Sequence, residues 1–217
     1  MDRKAHWERV YQNTGLDQVS WHQVEAEPSL RLIRQAIPQT AAVIDVGGGG
    51  SILVDSLISA GYRRVTVLDV SRAALAAAQA RLRGYTAAIS WIEGDILDAP
   101  LPAGGFDLWH DRAVFHFLTE VSDRQRYVRQ LRRAITVDGH VLLATFAPDG
   151  PARCSGLEVV RYSPEALQAE LGAGFSVVTS LRHEHRTPDG RTQAFTYCLF
   201  RQRPPERSSG SRVTQAL

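Results

Sequence analysis

Val43-Ile44-Asp45-Val46-Gly47-Gly48-Gly49-Gly50 is the stretch that decides how this chain folds. A short β-rich apolar run ending in an acid and four glycines reads as a strand delivered into a tight loop. The stripe Ile52, Leu53, Leu57 and Ile58 that follows reads as a helix. Glycines without Cβ atoms let a backbone approach a ligand closely and adopt positive φ. Taken alone, such a loop is equally a tight strand-to-helix turn.

Reading forward, Gly61 closes the helix, Val65-Thr66-Val67-Leu68-Asp69 is a second strand, and Ser71 caps an Ala-rich helix over residues 73–82. Residues 89–92 and 106–110 are the third and fourth strand candidates. A helix over residues 123–134 leads to a fifth strand at 141–146. Ser163-Pro164-Glu165 starts another helix, reaching about Leu171. Repeated alternation of this kind predicts a mainly parallel sheet with helices on both faces, an α/β fold. Residues 175–181 and 193–200 alternate like strands, and the Thr187-Pro188-Asp189-Gly190 turn between them is too short for a parallel crossover, so an antiparallel hairpin is expected.

Reading backward, Trp7, Val10 and Tyr11 stand at helical spacing in residues 2–11, and Leu30, Ile33 and Ile37 make a second stripe between Pro28-Ser29 and Pro38. The expected organisation is a helical amino-terminal segment over 1–38, a catalytic domain over 39–203, and a disordered Pro- and Ser-rich tail over 204–217. With 217 residues and 44% hydrophobic content, one substantial core is expected. The formal charge of +2 is scattered, and Lys4 is the only basic residue that is not Arg, so no nucleic-acid footprint is predicted. The polar start Met1-Asp2-Arg3-Lys4-Ala5-His6 is unlike a signal peptide, and no run of about 18 apolar residues suggests a membrane span. Cytoplasm is the expected compartment, consistent with only two cysteines, Cys154 and Cys198.

In an open α/β sheet, ligands bind beyond the carboxyl ends of the strands. Here those ends carry acids. Asp45 precedes the glycines; Asp69 can accept from both hydroxyls of a ribose; Asp95, after Gly94, can accept from an adenine amino group. A dinucleotide enzyme is the main rival, but its third glycine position, counted from Gly47 and Gly49, is Ile52, too bulky for a helix that must approach a pyrophosphate.

Val43 to Gly49 resembles the first motif of class I S-adenosylmethionine-dependent methyltransferases. Val67-Leu68-Asp69-Val70-Ser71 and Gly94-Asp95-Ile96 resemble the next two, and Phe106-Asp107-Leu108-Trp109-His110-Asp111-Arg112 the fourth. The resemblance covers roughly residues 30–200. It implies a Rossmann-like fold with a seven-stranded sheet, S-adenosyl-L-methionine as cofactor and S-adenosylhomocysteine as product. It further implies Asp45 and the Gly47, Gly48 and Gly49 backbone near the methionine moiety, Asp69 and Val70 at the ribose, and Asp95 and Ile96 at adenine. Asp111 would sit near the methionine end and the acceptor. One departure is Gly-Gly-Gly-Gly-Ser in place of the commoner alternating-glycine loop. The amino-terminal segments around Trp7, Tyr11 and Trp21 resemble the pre-domain of small bacterial methyltransferases and of a branch of lysine methyltransferases, which implies a lid folded over the cofactor with Trp7 and Tyr11 among its contacts; an amphipathic helix simply buried on the sheet explains them about as well.

On the acceptor side, Asp111, His110 and His116 are the catalytic candidates, with Phe115 and Phe117 as pocket walls. His110 and His116 also read as a strand-end polar residue and a packing residue. Cys154, Cys198, His183 and His185 could form a soft-metal or metalloid acceptor site, but they fit no zinc spacing, and buried cysteines with ordinary surface histidines are the expectation, with no bound metal. The acceptor expected is a small-molecule oxygen, nitrogen or sulfur nucleophile. A protein lysine acceptor and a noncatalytic S-adenosylmethionine binder are the alternatives.

Overall fold

The computed structural model describes residues 2–203. The expected tail over 204–217 lies outside the described residues. Element order is α1 (Arg3–Asn13), α2 (Ser29–Ala36), β1 (Val43–Val46), α3 (Leu53–Ser59), β2 (Val65–Asp69), α4 (Arg72–Arg81), β3 (Ile89–Glu93), β4 (Phe106–Arg112), α5 (Val121–Ala134), β5 (Ile135–Phe146), β6 (Arg153–Cys154), β7 (Leu157–Glu158), α6 (Pro164–Leu171), β8 (Phe175–Arg186) and β9 (Thr192–Gln202). Three caps follow from side-chain chemistry: Asp2, Ser71 and Ser163 accept from the backbone N–H of Ala5, Ala74 and Ala166.

One seven-stranded sheet has the order β3-β2-β1-β4-β5-β9-β8. Strands β1 to β5 pair in parallel; β9 runs antiparallel between β5 and β8. Strand order therefore reverses between β1 and β4, which opens a crevice at their carboxyl ends. Because β9 is antiparallel, its start lies at that same end, with Phe195 opposite Phe146.

The alternation of each strand divides the core between the two faces. Ile44, Val46, Trp109, Val141, Leu143, Cys198 and Phe200 pack with Tyr127, Val128 and Leu131 of α5 and Leu167 and Leu171 of α6. Val43, Val65, Val67, Leu108, Leu142, Phe195, Tyr197 and Leu199 pack with Leu32 and Ile33 of α2 and with α3. The helices and strands expected from periodicity are present. Differences lie at ends and loops: β5 begins at Ile135, β8 and β9 extend to the turn, and the short β6–β7 hairpin was not expected, since two-residue strands leave no periodic signal. Cys154 and Cys198 belong to opposite faces and so do not converge on one site. Among the described residues no helix is long and apolar enough to cross a membrane.

Candidate functional site

A cleft crosses the strand ends. Its floor is made by Val46 and Gly47 after β1, Leu68 to Val70 after β2, Gly94 to Ile96 after β3, and Arg112 to Val114 after β4. Toward β5 and β9 it continues into an apolar chamber of Phe117, Phe146 and Phe195, with Cys154 and Gln193 on its wall. Trp7, Tyr11 and Trp21 line it from the amino-terminal segment.

Asp69 shapes the first half. Its Oδ1 accepts from Ser71 N–H at 2.8 Å and its Oδ2 from Gly49 N–H at 3.0 Å, so the glycine loop and the start of α4 are tied to one carboxylate. Burial pushes that carboxyl up to about 6 against the pull of the two amides. Gly47 holds φ +70, and a Cβ there would stand 2.2 Å from Val114 Cγ2. The glycine is needed both for the left-handed backbone and for the approach of the β4 loop. Asp95 is more open: Oδ1 accepts from Leu97 N–H at 2.9 Å, and Oδ2 meets Arg3 at 3.4 Å. Ile96 is buried beside it and lines the cleft.

Asp45 lies in a smaller adjoining recess with Gly47, Gly50, Ser51, His110 and Arg112. His110 Nδ1 is 2.6 Å from Asp45 Oδ1, and His110 Nε2 is 2.8 Å from Ser29 Oγ. A carboxylate can only accept, so Nδ1 donates to Asp45, and Nε2 shares its hydrogen bond with the Ser29 hydroxyl. Both Ser29 and His110 are buried, so this Ser-His-Asp chain orients Asp45 and offers no exposed nucleophile. Asp45 Oδ2 has no partner among the described residues.

The structure separates the residues expected at the acceptor. Along β4, Trp109 and Asp111 face α5, whereas Leu108, His110 and Arg112 face the other layer. Asp111 is accordingly spent on structure. Its carboxylate accepts from Tyr127 O–H at 2.5 Å and from Val114 and Phe115 N–H at 2.9 and 3.1 Å, and it does not line the cleft. Burial pushes it up to about 6, opposed by the Tyr127 bond. His116, in the one-turn helix Phe115–Phe117, is fully buried between Phe117 and Phe146, and burial drives its imidazole down to about 3. It stays neutral and points away from bulk water. His110 reaches only the smaller recess. Strand alternation and the tight 111–117 turn bury Asp111 and His116, both expected beside the acceptor, and neither lines the cleft. Phe115 is likewise core, while Phe117 lines the chamber. Gly48 and Gly49 stand behind Gly47, close to the carboxylates of Asp45 and Asp69.

Arg112, Cys154, Gln193 and Phe195 line the cleft without having been singled out for it. Arg112 was discoverable from its shared face with His110. The other three depend on the antiparallel placement of β9 and on the β6–β7 hairpin, which carry no local signal.

Helix α1 has no buried residue of its own and is held by polar contacts at its rim. Glu8 accepts from Ser71 O–H at 2.7 Å and from Ala73 N–H at 3.3 Å; Lys4 pairs with Glu93 at 2.5 Å; Arg3 pairs with Asp123 as well as Asp95. Trp7 meets Trp21 and Phe117 edge-on, with centroids 5.6 and 5.0 Å apart. Tyr11 lies against Gly50, where a Cβ would be 2.7 Å from its hydroxyl.

Residues 43–139 match the model of a methyltransferase-domain family. An uncharacterized methyltransferase of Mycobacterium tuberculosis is 33% identical over 110 residues, covering 49% of this chain and 51% of that protein. The chain spans about half the length of such curated relatives. The human EEF1A lysine methyltransferase 2 is 24% identical over 196 residues, covering 82% of this chain and 76% of its own length. Among solved structures, a Burkholderia thailandensis 1,6-didemethyltoxoflavin-N1-methyltransferase with bound S-adenosylhomocysteine superposes with TM-score 0.72 at 17% identity, over 93% of this chain and 87% of the other. A second, from work on the conversion of a disulfide bond into a thioacetal group in echinomycin biosynthesis, gives TM-score 0.74 at 20% identity over 92% of both chains.

Proposed function

We propose that this chain, whose residues 43–139 match a methyltransferase-domain family, binds S-adenosylmethionine across the ends of β1, β2 and β3 and transfers the methyl group to a small-molecule nucleophile held in the aromatic chamber. The observation that carries this reading is Asp69, a buried carboxylate on the cleft wall with both oxygens already anchored by amides. Each oxygen keeps a lone pair for a ribose hydroxyl, and such donors would return the carboxyl toward its ionised form. Ile96 and Val70 offer an apolar shelf for a base, with Asp95 at its edge. Asp45 Oδ2, unpartnered beside the glycine loop, suits an ammonium group. The residues present therefore fit the cofactor.

When bound, S-adenosylmethionine supplies a methyl group on a positively charged sulfur, which keeps the electron pair of the breaking S–CH3 bond while the acceptor's lone pair forms the new one. The chain's part is alignment and the exclusion of water. Gly47 and Val114 bring the β4 loop against the cofactor half, Asp111 and Tyr127 hold that loop, and Trp7, Trp21 and Phe117 roof the chamber. Residues 1–38 act in this reading as a lid over the domain at 39–203. Asp111 and His110 act as positioning residues, because their polar atoms are engaged inside the protein; His116, whose Nδ1 accepts from Phe146 N–H at 3.4 Å and whose Nε2 has no partner among the described residues, packs between Phe117 and Phe146.

A lysine acceptor on a protein is the second reading, favoured by the likeness to EEF1A lysine methyltransferase 2. The open chamber at Ala113, Val114 and Phe117 weighs against a noncatalytic binder. Calorimetric titration with S-adenosylmethionine, S-adenosylhomocysteine and NAD tests the cofactor assignment, and NAD binding without response to the other two would sink it. A radiolabelled methyl-transfer screen over thiols, phenols, amines and cell-extract proteins then separates the acceptor readings.

A further inference from the structure

The apolar chamber contains a fixed positive charge whose partners are all neutral. Arg112 Nε donates to Tyr197 Oη at 3.0 Å, one terminal nitrogen donates to the Trp21 carbonyl at 3.1 Å, and the guanidinium carbon lies 4.6 Å from the centre of the Phe195 ring. The other terminal nitrogen is buried and has no partner among the described residues. Arg112 lines both the main cleft and the recess beside it, in company with Trp21, Cys154, Gln193 and Phe195. The nearby imidazole of His185 is held down to about 4, first by burial and then by Arg112 itself, so it adds no second charge. A guanidinium pinned on three sides in apolar surroundings, with one terminal nitrogen unpartnered, costs free energy until an anion meets it. That nitrogen can donate to a carboxylate, and the tethers remove most of the entropy lost on binding.

We propose that Arg112 is the specificity-determining residue for the acceptor: it binds a carboxylate on a small, apolar or aromatic-bodied molecule. The site thereby selects anionic acceptors and disfavours alkylammonium ones. This rests on the cofactor occupying the Asp69 half, leaving the chamber for the acceptor. A lysine ammonium entering the chamber beside Arg112 would meet the like charge of its guanidinium, with Asp45 in the adjoining recess the nearest carboxylate the lining supplies.

The test uses the full chain saturated with S-adenosylhomocysteine, titrated calorimetrically with phenylacetate, 3-phenylpropionate, 2-phenylacetamide and phenethylamine. The carboxylates are expected to bind about tenfold to a hundredfold more tightly than the amide, the range of a buried charge-assisted bond, and the amine not to bind. In Arg112→Gln that preference should vanish while S-adenosylhomocysteine affinity changes by less than about tenfold. Tyr197→Phe, which removes only the Nε anchor, should weaken the preference partially and serves if Arg112→Gln does not fold. Equal binding of amide and carboxylate, no carboxylate binding, or a preference that survives Arg112→Gln overturns the proposal. So does a loss of about tenfold or more in S-adenosylhomocysteine affinity, which would put the guanidinium on the cofactor's own carboxylate. Failure of the cofactor reading is distinct: the wild-type chain would not bind S-adenosylhomocysteine at all.

Discussion

Lowering the pH should weaken cofactor binding through Asp69, and the size of the effect can be worked from its surroundings. Burial raises this carboxyl to about 6, and donors from a ribose would stabilise only the ionised form. At pH 7 about nine tenths of the free protein carries the carboxylate and at pH 5 about one tenth, so affinity for S-adenosylhomocysteine should fall about tenfold, or about 1.4 kcal/mol. Binding at pH 5 should accordingly release a proton, visible as a dependence of the calorimetric enthalpy on the ionisation enthalpy of the buffer. The control is Asp69→Asn. Its amide oxygen can satisfy only one of the two N–H groups of Gly49 and Ser71, so it should bind more weakly at pH 7 by about 1 to 3 kcal/mol and lose the pH dependence between 5 and 7. A slope of unchanged size in Asp69→Asn, or tighter binding of the wild type at pH 5 than at pH 7, would refute the reasoning.

Three further outcomes follow from the same geometry. Asp69 and Asp111 both sit at about 6 in the fold against 3.8 for an ordinary aspartate, so each binds more protons folded than unfolded between those values. Their contribution is present at low pH and lost as pH rises through about 6, at most about 3 kcal/mol each, and urea unfolding of the ligand-free protein at pH 5 and 7 should show it once other carboxylates are fitted. In Asp111→Asn the single amide oxygen cannot serve both Tyr127 O–H and the Val114 and Phe115 N–H groups; unfolding should be easier by about 1 to 3 kcal/mol, and methyl transfer should slow through displacement of the 114–117 turn. Wild-type stability in Asp111→Asn would show the turn to be held by other contacts. Gly47→Ala should cost about 2 to 5 kcal/mol, the sum of a left-handed φ and the overlap with Val114, and adding Val114→Ala should restore the overlap part but not the backbone part. Full additivity of the two substitutions in denaturant titrations would contradict that contact.

Much of the fold was legible because it rests on local periodicity. Val65 to Asp69 shows its strand in five residues, Ser71 and Ser163 announce the helices they cap, and the Thr187-Pro188-Asp189-Gly190 turn forces an antiparallel return. The strand-end acids could be placed for the same reason: Asp45 and Asp69 lie within the last two residues of β1 and β2, and Asp95 two residues beyond β3. The two-residue strands at Arg153–Cys154 and Leu157–Glu158 are too short to carry a period, and so the wall they supply to the cleft was not legible.

By itself, the sequence determined the order of strands and helices, the glycine loop, and the acids at Asp45, Asp69 and Asp95, since each depends on neighbours a few residues away. Only the tertiary structure decided which side chains meet across that frame. Asp111 and Arg112 are adjacent in sequence, yet strand alternation turns one toward Tyr127 and the other toward Tyr197 and Trp21. Which face is core and which is cleft depends on α5 packing on one side and the amino-terminal segment and β9 on the other. The contacts of Arg112 with β9 and with the amino-terminal segment join residues 85 and 91 positions apart, and no local pattern encodes them.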